Sequence, residues 1–378
     1  MDRIFPFGFP GPTAFYLVLY VATLAVHVIF MGYVLSGTAV VAGSAIAGLR
    51  RRPAGAPAGA LGPVVELLRD WLPFALSAAI TAGIAPLLLI QILYKRGFYT
   101  ANLLLFHRWM LILPALIAGF YLLYLLRTQW LAARPRLRVV VGALAVACFG
   151  FTALSWTENS LLARDPAAWA GLYGSGAMAY RSGEIAPRLG FWVAGTMPTM
   201  AALIGWQVWR KEKLAAGSPE APRWAAALRP LAGLALAGLV LAAVAGAAYA
   251  VALGPAGQAS GRSPAAAPYL WAAIGGAGLQ AAAWAAMLFG GFRGPRRGLW
   301  LGLASVGLAV TVPSTAVVRE ALRIGSIEPA ALAALQAEHA RAADVGGRWL
   351  FFVFLALNAA LAAWAIRTAT RKAAAPAA

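Results

Sequence analysis

Long apolar runs alternate with short segments that carry charge, proline and glycine along the whole of this chain. Each run is at least ~18 residues, long enough to cross a bilayer as a helix. The pattern predicts nine spans, over residues 13–41, 72–94, 102–126, 138–160, 189–209, 228–253, 268–291, 298–318 and 347–367. The expected fold is all-α: a polytopic transmembrane helix bundle forming one integral membrane domain over residues 1–378.

The segments between the runs give the bundle a direction. With the N-terminus outside, the inner side receives Arg50, Arg51, Arg52 and Arg69, then Arg127, Arg134, Arg136 and Arg138. Arg210, Lys211, Lys213, Arg223, Arg229, Arg293, Arg296, Arg297, Arg367, Arg371 and Lys372 follow on the same side. That side holds 19 of the 31 basic residues but only four of the 12 acidic ones, Glu66, Asp70, Glu212 and Glu220. Positive charge gathers on the cytoplasmic side of membrane proteins, so an outside N-terminus and an inside C-terminus are expected. A bacterial-type inner (cytoplasmic) membrane is the expected location. The opening MDRIFPFGFPGP lacks the form of a signal peptide, and the first helix is expected to stay as its own insertion signal.

Two outer connections are long. Residues 161–188 predict a short amphipathic helix after Pro166 and then a Gly/Ser turn. Residues 319–346 predict a helix opening at Glu328-Pro329, with Leu332 and Leu335 on a packed face and Glu338, His339 and Arg341 on a wet one. The inner basic loop 43–71 reads as flexible first and amphipathic later.

Composition agrees with lipid as the solvent. Charged residues are 11% of the chain and hydrophobic ones 62%, where a soluble domain has roughly 25% charged. Abundant Gly and Ala suit close helix packing in a membrane. The net charge of +19 would raise nucleic acid as a partner in a soluble protein. Here topology accounts for it, and no nucleic-acid partner is expected. The single cysteine, Cys148, cannot form an internal disulfide. One cysteine also excludes c-type haem attachment and a four-cysteine iron–sulfur cluster.

Polar groups inside spans are costly and mark candidate chemistry. His27 lies near the middle of the first span, with Thr23 and Tyr20 on one side and Met31 a turn beyond. An imidazole at that depth can serve as an axial iron ligand of haem b, take part in a proton path, or bond to a neighbouring helix. His107 and Arg108, in LLLFHRWM, can meet a quinol head group or a haem propionate, or anchor the interface beside Trp109. A second iron ligand for His27 can come from His107 or from Met110, Met197 or Met200; Met197 and Met200 lie on nearly one helix face around Pro198. No Walker, HExxH or GxSxG motif is present, so hydrolytic chemistry has no support.

The order of these features resembles subunit I of the cytochrome bd quinol oxidase superfamily, and more closely its shorter relatives. The first span, FYLVLYVATLAVHVIFMGYVLSGTAVV, is similar to that family's opening helix with its early histidine. The segments ITAGIAPLLLIQILYKRGFYTANLLL and WTENSLLARDPAAWAGLYGSG…EIAPRLGFWVAGTMPTMAALIGWQVW resemble the second span and the outer loop with the fifth span. The resemblance implies haem b, quinol or cytochrome electron transfer, and partner membrane subunits. It departs where the family's fifth span opens with a haem-ligating histidine, because Gly190 stands there. FHRWM replaces a glutamate-bearing pattern, and no GRQP motif is present.

The expected function is that of an integral membrane subunit of a respiratory or electron-transfer complex. It would be associated with haem b or quinone, or would act as a scaffold, and would be accessory more than catalytic. Other membrane subunits, lipid, and redox proteins at the outer face are the expected partners. The alternative is a transporter or channel subunit without a redox cofactor. That reading draws on Pro86, Pro114, Pro198 and Pro313 within spans and on polar Thr81, Gln91 and Thr311.

Overall fold

A computed structural model of the protein describes residues 7–51, 60–290 and 296–344, with short pieces between 349 and 368. The described residues form helices and no β-strand: α1 (Gly11–Arg51), α2 (Gly62–Leu93), α3 (Lys95–Leu104), α4 (Phe106–Arg127), α5 (Gln129–Ala132), α6 (Pro135–Leu162) and α7 (Ala167–Ser175). They continue as α8 (Ile185–Leu214), α9 (Ala221–Ala252), α10 (Gly254–Gly261), α11 (Ala267–Phe289), α12 (Arg297–Gly325) and α13 (Pro329–Ala342). Eight of these, α1, α2, α4, α6, α8, α9, α11 and α12, are long and apolar enough to cross a membrane. The protein is an all-α polytopic bundle. Nine of the 21 residues of the ninth expected span, 347–367, lie outside the described residues, and the others are helical.

The chain divides into two units. The larger, Leu17–Ile327, holds the spans from the body of α1 to α12. Its closest helix pairs are seamed by glycine, the small-residue packing that lets membrane helices approach. Across α8 and α9, a Cβ added to Gly238 would stand 2.5 Å from the Met197 Cβ and 2.9 Å from the Ala194 carbonyl. Across α11 and α12, a Cβ on Gly307 would meet the Gly276 carbonyl at 2.6 Å. The same seam carries a hydrogen bond from Gln280 Nε2 to Thr311 Oγ1 at 3.1 Å. Between α4 and α6, Gly119 takes the edge of the Phe149 ring. Away from these seams the helices expose large apolar side chains, Tyr121, Val244 and Trp271 among them. Such outward apolar faces suit a hydrocarbon surround.

The smaller unit is made of the residues up to Tyr16 and those from Glu328 onward. Its helix α13 starts at Pro329, as the Glu-Pro pair predicts. His339, expected on the wet face, is instead 3% exposed, and its Nδ1 lies 3.0 Å from Thr13 Oγ1. The spacing explains the correction: 332, 335 and 339 fall on one helix face, while Glu338 and Arg341 stay exposed.

Several helices run past the expected span ends. α1 continues to Arg51 and α2 begins at Gly62, so most of the segment 43–71 is helical. Pro63 sits in the first turn of α2, where its missing N–H costs nothing. α8 begins at Ile185 and α12 continues to Gly325, which draws Arg188, Arg319 and Arg323 into the helices. Residues 161–188 contain α7, which ends at Gly176 in the left-handed region (φ 62°) as its chain turns. That segment is pinned by an Arg164–Glu184 ion pair and by the Tyr180 hydroxyl, which donates to Asp165 Oδ2 at 2.7 Å.

Candidate functional site

Tyr20, Leu24, His27, Val28 and Met31 recur at helical spacing along α1 and face a cavity of about 550 Å³. α2, α4, α6, α8 and the end of α12 complete its wall, which is mostly apolar. One histidine, one group of arginines and a few hydroxyls, Thr152 and Thr157 among them, interrupt that wall.

The histidine is fixed by α2. Its Nδ1 lies 2.9 Å from the Ala79 carbonyl oxygen. A carbonyl only accepts, so Nδ1 carries the proton and donates. Nε2 is then the nitrogen with the lone pair, and it makes no hydrogen bond among the described residues. The ring can approach α2 this closely because residue 83 is glycine. A Cβ there would stand 3.0 Å from both Cε1 and Nδ1. An imidazole held through one nitrogen on a backbone carbonyl presents the other as a ligand or proton acceptor. Met31 shares the cavity wall.

The arginines gather where α12 approaches Tyr20, Tyr94 and Ser160. Glu320 is fully buried. Its Oε1 accepts from Arg319 Nη2 at 2.8 Å and from Arg319 Nε at 3.1 Å. Its Oε2 accepts from the Tyr94 hydroxyl at 2.8 Å and pairs with Arg323 Nη1 at 3.5 Å. Arg319 also donates to the Tyr20 hydroxyl. Removal of its hydroxyl from water, and then the charge of Glu320, hold Tyr94 well above the usual phenol range, so it remains a donor. Arg323 Nη2 and Arg188 Nη2 both donate to Ser160 Oγ, each at 2.9 Å.

The other residues singled out in the sequence lie elsewhere. His107 is exposed, its ring against Phe106. Arg108 Nε reaches Glu158 Oε2 at 3.1 Å and the Met178 carbonyl at 3.3 Å. Neither lines the cavity. Met200 is fully buried in the main core, and Met197 packs on Gly238 of α9. Met110 does line the cavity. A Cβ on Gly190 would touch Ala245 of α9, so the position where the resemblance expects a histidine faces α9. Of the polar groups that would favour a transport path, Thr311 is bonded to Gln280, Gln91 to Tyr99 and Thr81 to the Ser77 carbonyl. The arginine–glutamate group was hidden in the sequence because it lies where spans were expected to end. The run REALR carries its trace, with Arg319 and Arg323 four residues apart on one helix face.

A haem needs an axial ligand and an apolar slot, and the Nε2 of His27 in this cavity fits the first requirement and the wall fits the second. Among the described residues no group of three or more His, Cys, Asp or Glu side chains is assembled, so a many-ligand metal-ion site is not part of this picture.

No family model and no curated protein matches the chain in sequence. In structure it is similar to a chain of the bd oxidase from Geobacillus thermodenitrificans, with a TM-score of 0.62 over 98% of this chain and 100% of that one. Identity is 12%, and what the two chains share at that level is the fold.

Proposed function

We propose that this protein is an integral membrane subunit of a respiratory or electron-transfer complex, related to bd-type subunit I. In this reading its cavity would hold a haem b, with His27 Nε2 as the nitrogen that would bind it. The observation that carries the reading is the arrangement of His27: Nδ1 fixed on the Ala79 carbonyl, Nε2 without a hydrogen bond among the described residues, in a mostly apolar cavity. The shared fold with a bd oxidase chain supports the same class of complex. When bound, haem b supplies one-electron transfer. The chain's own residues do the rest. Ala79 orients the imidazole and sets its tautomer, Gly83 leaves room for the ring, and the aliphatic wall excludes water. Met31 and Met110 line the same wall and would be the thioether sulfurs available to the group, and a quinone ring is the other planar group that the wall suits.

His107 and Arg108 stand apart from the cavity and serve a quinone or a partner near the α4 start. The chain acts as an accessory subunit in a bacterial-type cytoplasmic membrane, N-terminus outside, with residues 161–188 facing redox partners. The reduced-minus-oxidised spectrum of the purified protein tests this. An α band in the b-haem region that is lost in His27→Ala is expected. A colourless protein, or a band unchanged in that variant, overturns the reading.

A further inference from the structure

Electron transfer at His27 makes no use of Arg188. This residue sits in the first turn of α8, is 5% exposed and lines the same cavity. Its one hydrogen bond among the described residues is Nη2 to Ser160 Oγ, an oxygen that Arg323 also uses. The carboxylates around it are taken. Glu320 is held by Arg319, Arg323 and Tyr94; Glu184 pairs with Arg164, and Glu158 with Arg108. Arg188, Arg319 and Arg323 therefore share one carboxylate at this end of the cavity. A guanidinium carries five N–H donors and no acceptor. Buried and without a counter-charge, it is among the most costly groups a fold can hold.

We propose that Arg188, with Ser160 and Arg323, forms a binding site for the acidic head group of an amphiphile, a carboxylate or phosphate, whose apolar part lies in the cavity. The charge surplus calls for an anion, and arginine binds both head groups through charge-assisted, often paired hydrogen bonds. The wall away from the arginines is made of side chains such as Leu24, Leu87, Ile112 and Trp192. It suits a hydrocarbon body and gives nothing to a free inorganic ion. The proposal does not rest on haem at His27.

Trp109, Trp156 and Trp192 line the cavity and report its occupation. Purified protein in a non-ionic detergent is titrated with sodium oleate and with methyl oleate, following tryptophan emission. The acid is expected to bind at least about tenfold more tightly than the ester, the scale of one charge-assisted contact. Arg188→Gln is expected to remove that preference and Arg188→Lys to restore part of it. Ser160→Ala, which keeps the charge, is expected to weaken it and covers the case in which Arg188→Gln does not fold. Competition by inorganic phosphate would assign the site to free anions as well; oleate binding untouched by phosphate would assign it to membrane-borne head groups. Equal binding of acid and ester by the wild type, or full preference retained in Arg188→Gln, overturns the proposal. A colourless protein that prefers the acid removes the haem reading alone, and a coloured one without preference removes this one alone.

Discussion

The two ends of the cavity satisfy their polar groups in opposite ways. At one end a neutral imidazole is held by a single backbone carbonyl, Ala79, and fits because residue 83 is glycine. At the other, Arg319 and Arg323 hold one buried carboxylate, and together with Arg188, which shares the Ser160 hydroxyl, they tie together α1, α6, α8, α12 and Tyr94. The first end is a steric arrangement with one hydrogen bond, and its loss leaves the helices in place. The second is a charged network, in which Glu320 compensates the desolvation of Arg319 and Arg323 and leaves Arg188 without a carboxylate of its own. Function that needs an open ligand position suits the first; cohesion of the bundle, and attraction of an anion, suit the second.

Removing Glu320 should produce the largest effect. Glu320→Ala leaves Arg319 and Arg323 buried without their carboxylate, and breaking a buried pair in this way costs about 3–5 kcal/mol. Thermal unfolding in detergent, followed by loss of the monodisperse peak, should show a strongly destabilised protein. His27→Ala, by contrast, should unfold close to the wild type, because its one hydrogen bond is worth about 1 kcal/mol. Equal destabilisation by the two would erase the distinction between the ends.

Gly83 sharpens the comparison from the other side. In Gly83→Leu the new side chain occupies the position of the imidazole, since even a Cβ would stand 3.0 Å from its ring. The bundle should remain assembled at a cost of about 1–3 kcal/mol from overpacking, while His27 leaves Ala79. If the cavity holds haem at His27, the variant should lose or shift the b-type band; a spectrum and a stability both equal to wild type would show that the ring is not constrained by α2.

The place of His27 inside a span was legible in the sequence, and its bond to a neighbouring helix is one of the roles that the sequence left open; the arginine group was not legible, for a physical reason. A lone histidine inside an apolar run has no competing explanation at the level of topology, so its chemistry stands out. Arg188, Arg319 and Arg323 lie at the rims of apolar runs, where charge is the ordinary mark of a loop. Only the tertiary arrangement shows that Tyr20, Tyr94, Ser160 and Glu320 draw them inward. The all-α class and eight of the spans followed from run length alone. The helix ends did not, because a charge satisfied by a distant residue does not end a helix. His339 repeats the lesson in the smaller unit: its partner, Thr13, lies 326 residues away along the chain.

The effect most specific to the charged end, and well below that of Glu320→Ala, concerns Tyr94. Tyr94→Phe removes one of the hydrogen bonds to Glu320 Oε2 but leaves both arginines in place. The expected loss is about 1.5–3 kcal/mol, the scale of a bond to a charged group. Its pH dependence carries the diagnosis. Tyr94 is held above the phenol range in the folded protein by removal from water and by Glu320, whereas unfolded tyrosine ionises near ~10. A raised folded value means that the stabilisation is complete below the unfolded value and declines as pH rises past it. The stability gap between wild type and Tyr94→Phe should therefore be constant from neutral pH to about 9 and close above ~10. A gap that closes already near neutral pH would mean that a different group carries it, and that the Tyr94–Glu320 bond contributes nothing to the cohesion of that end.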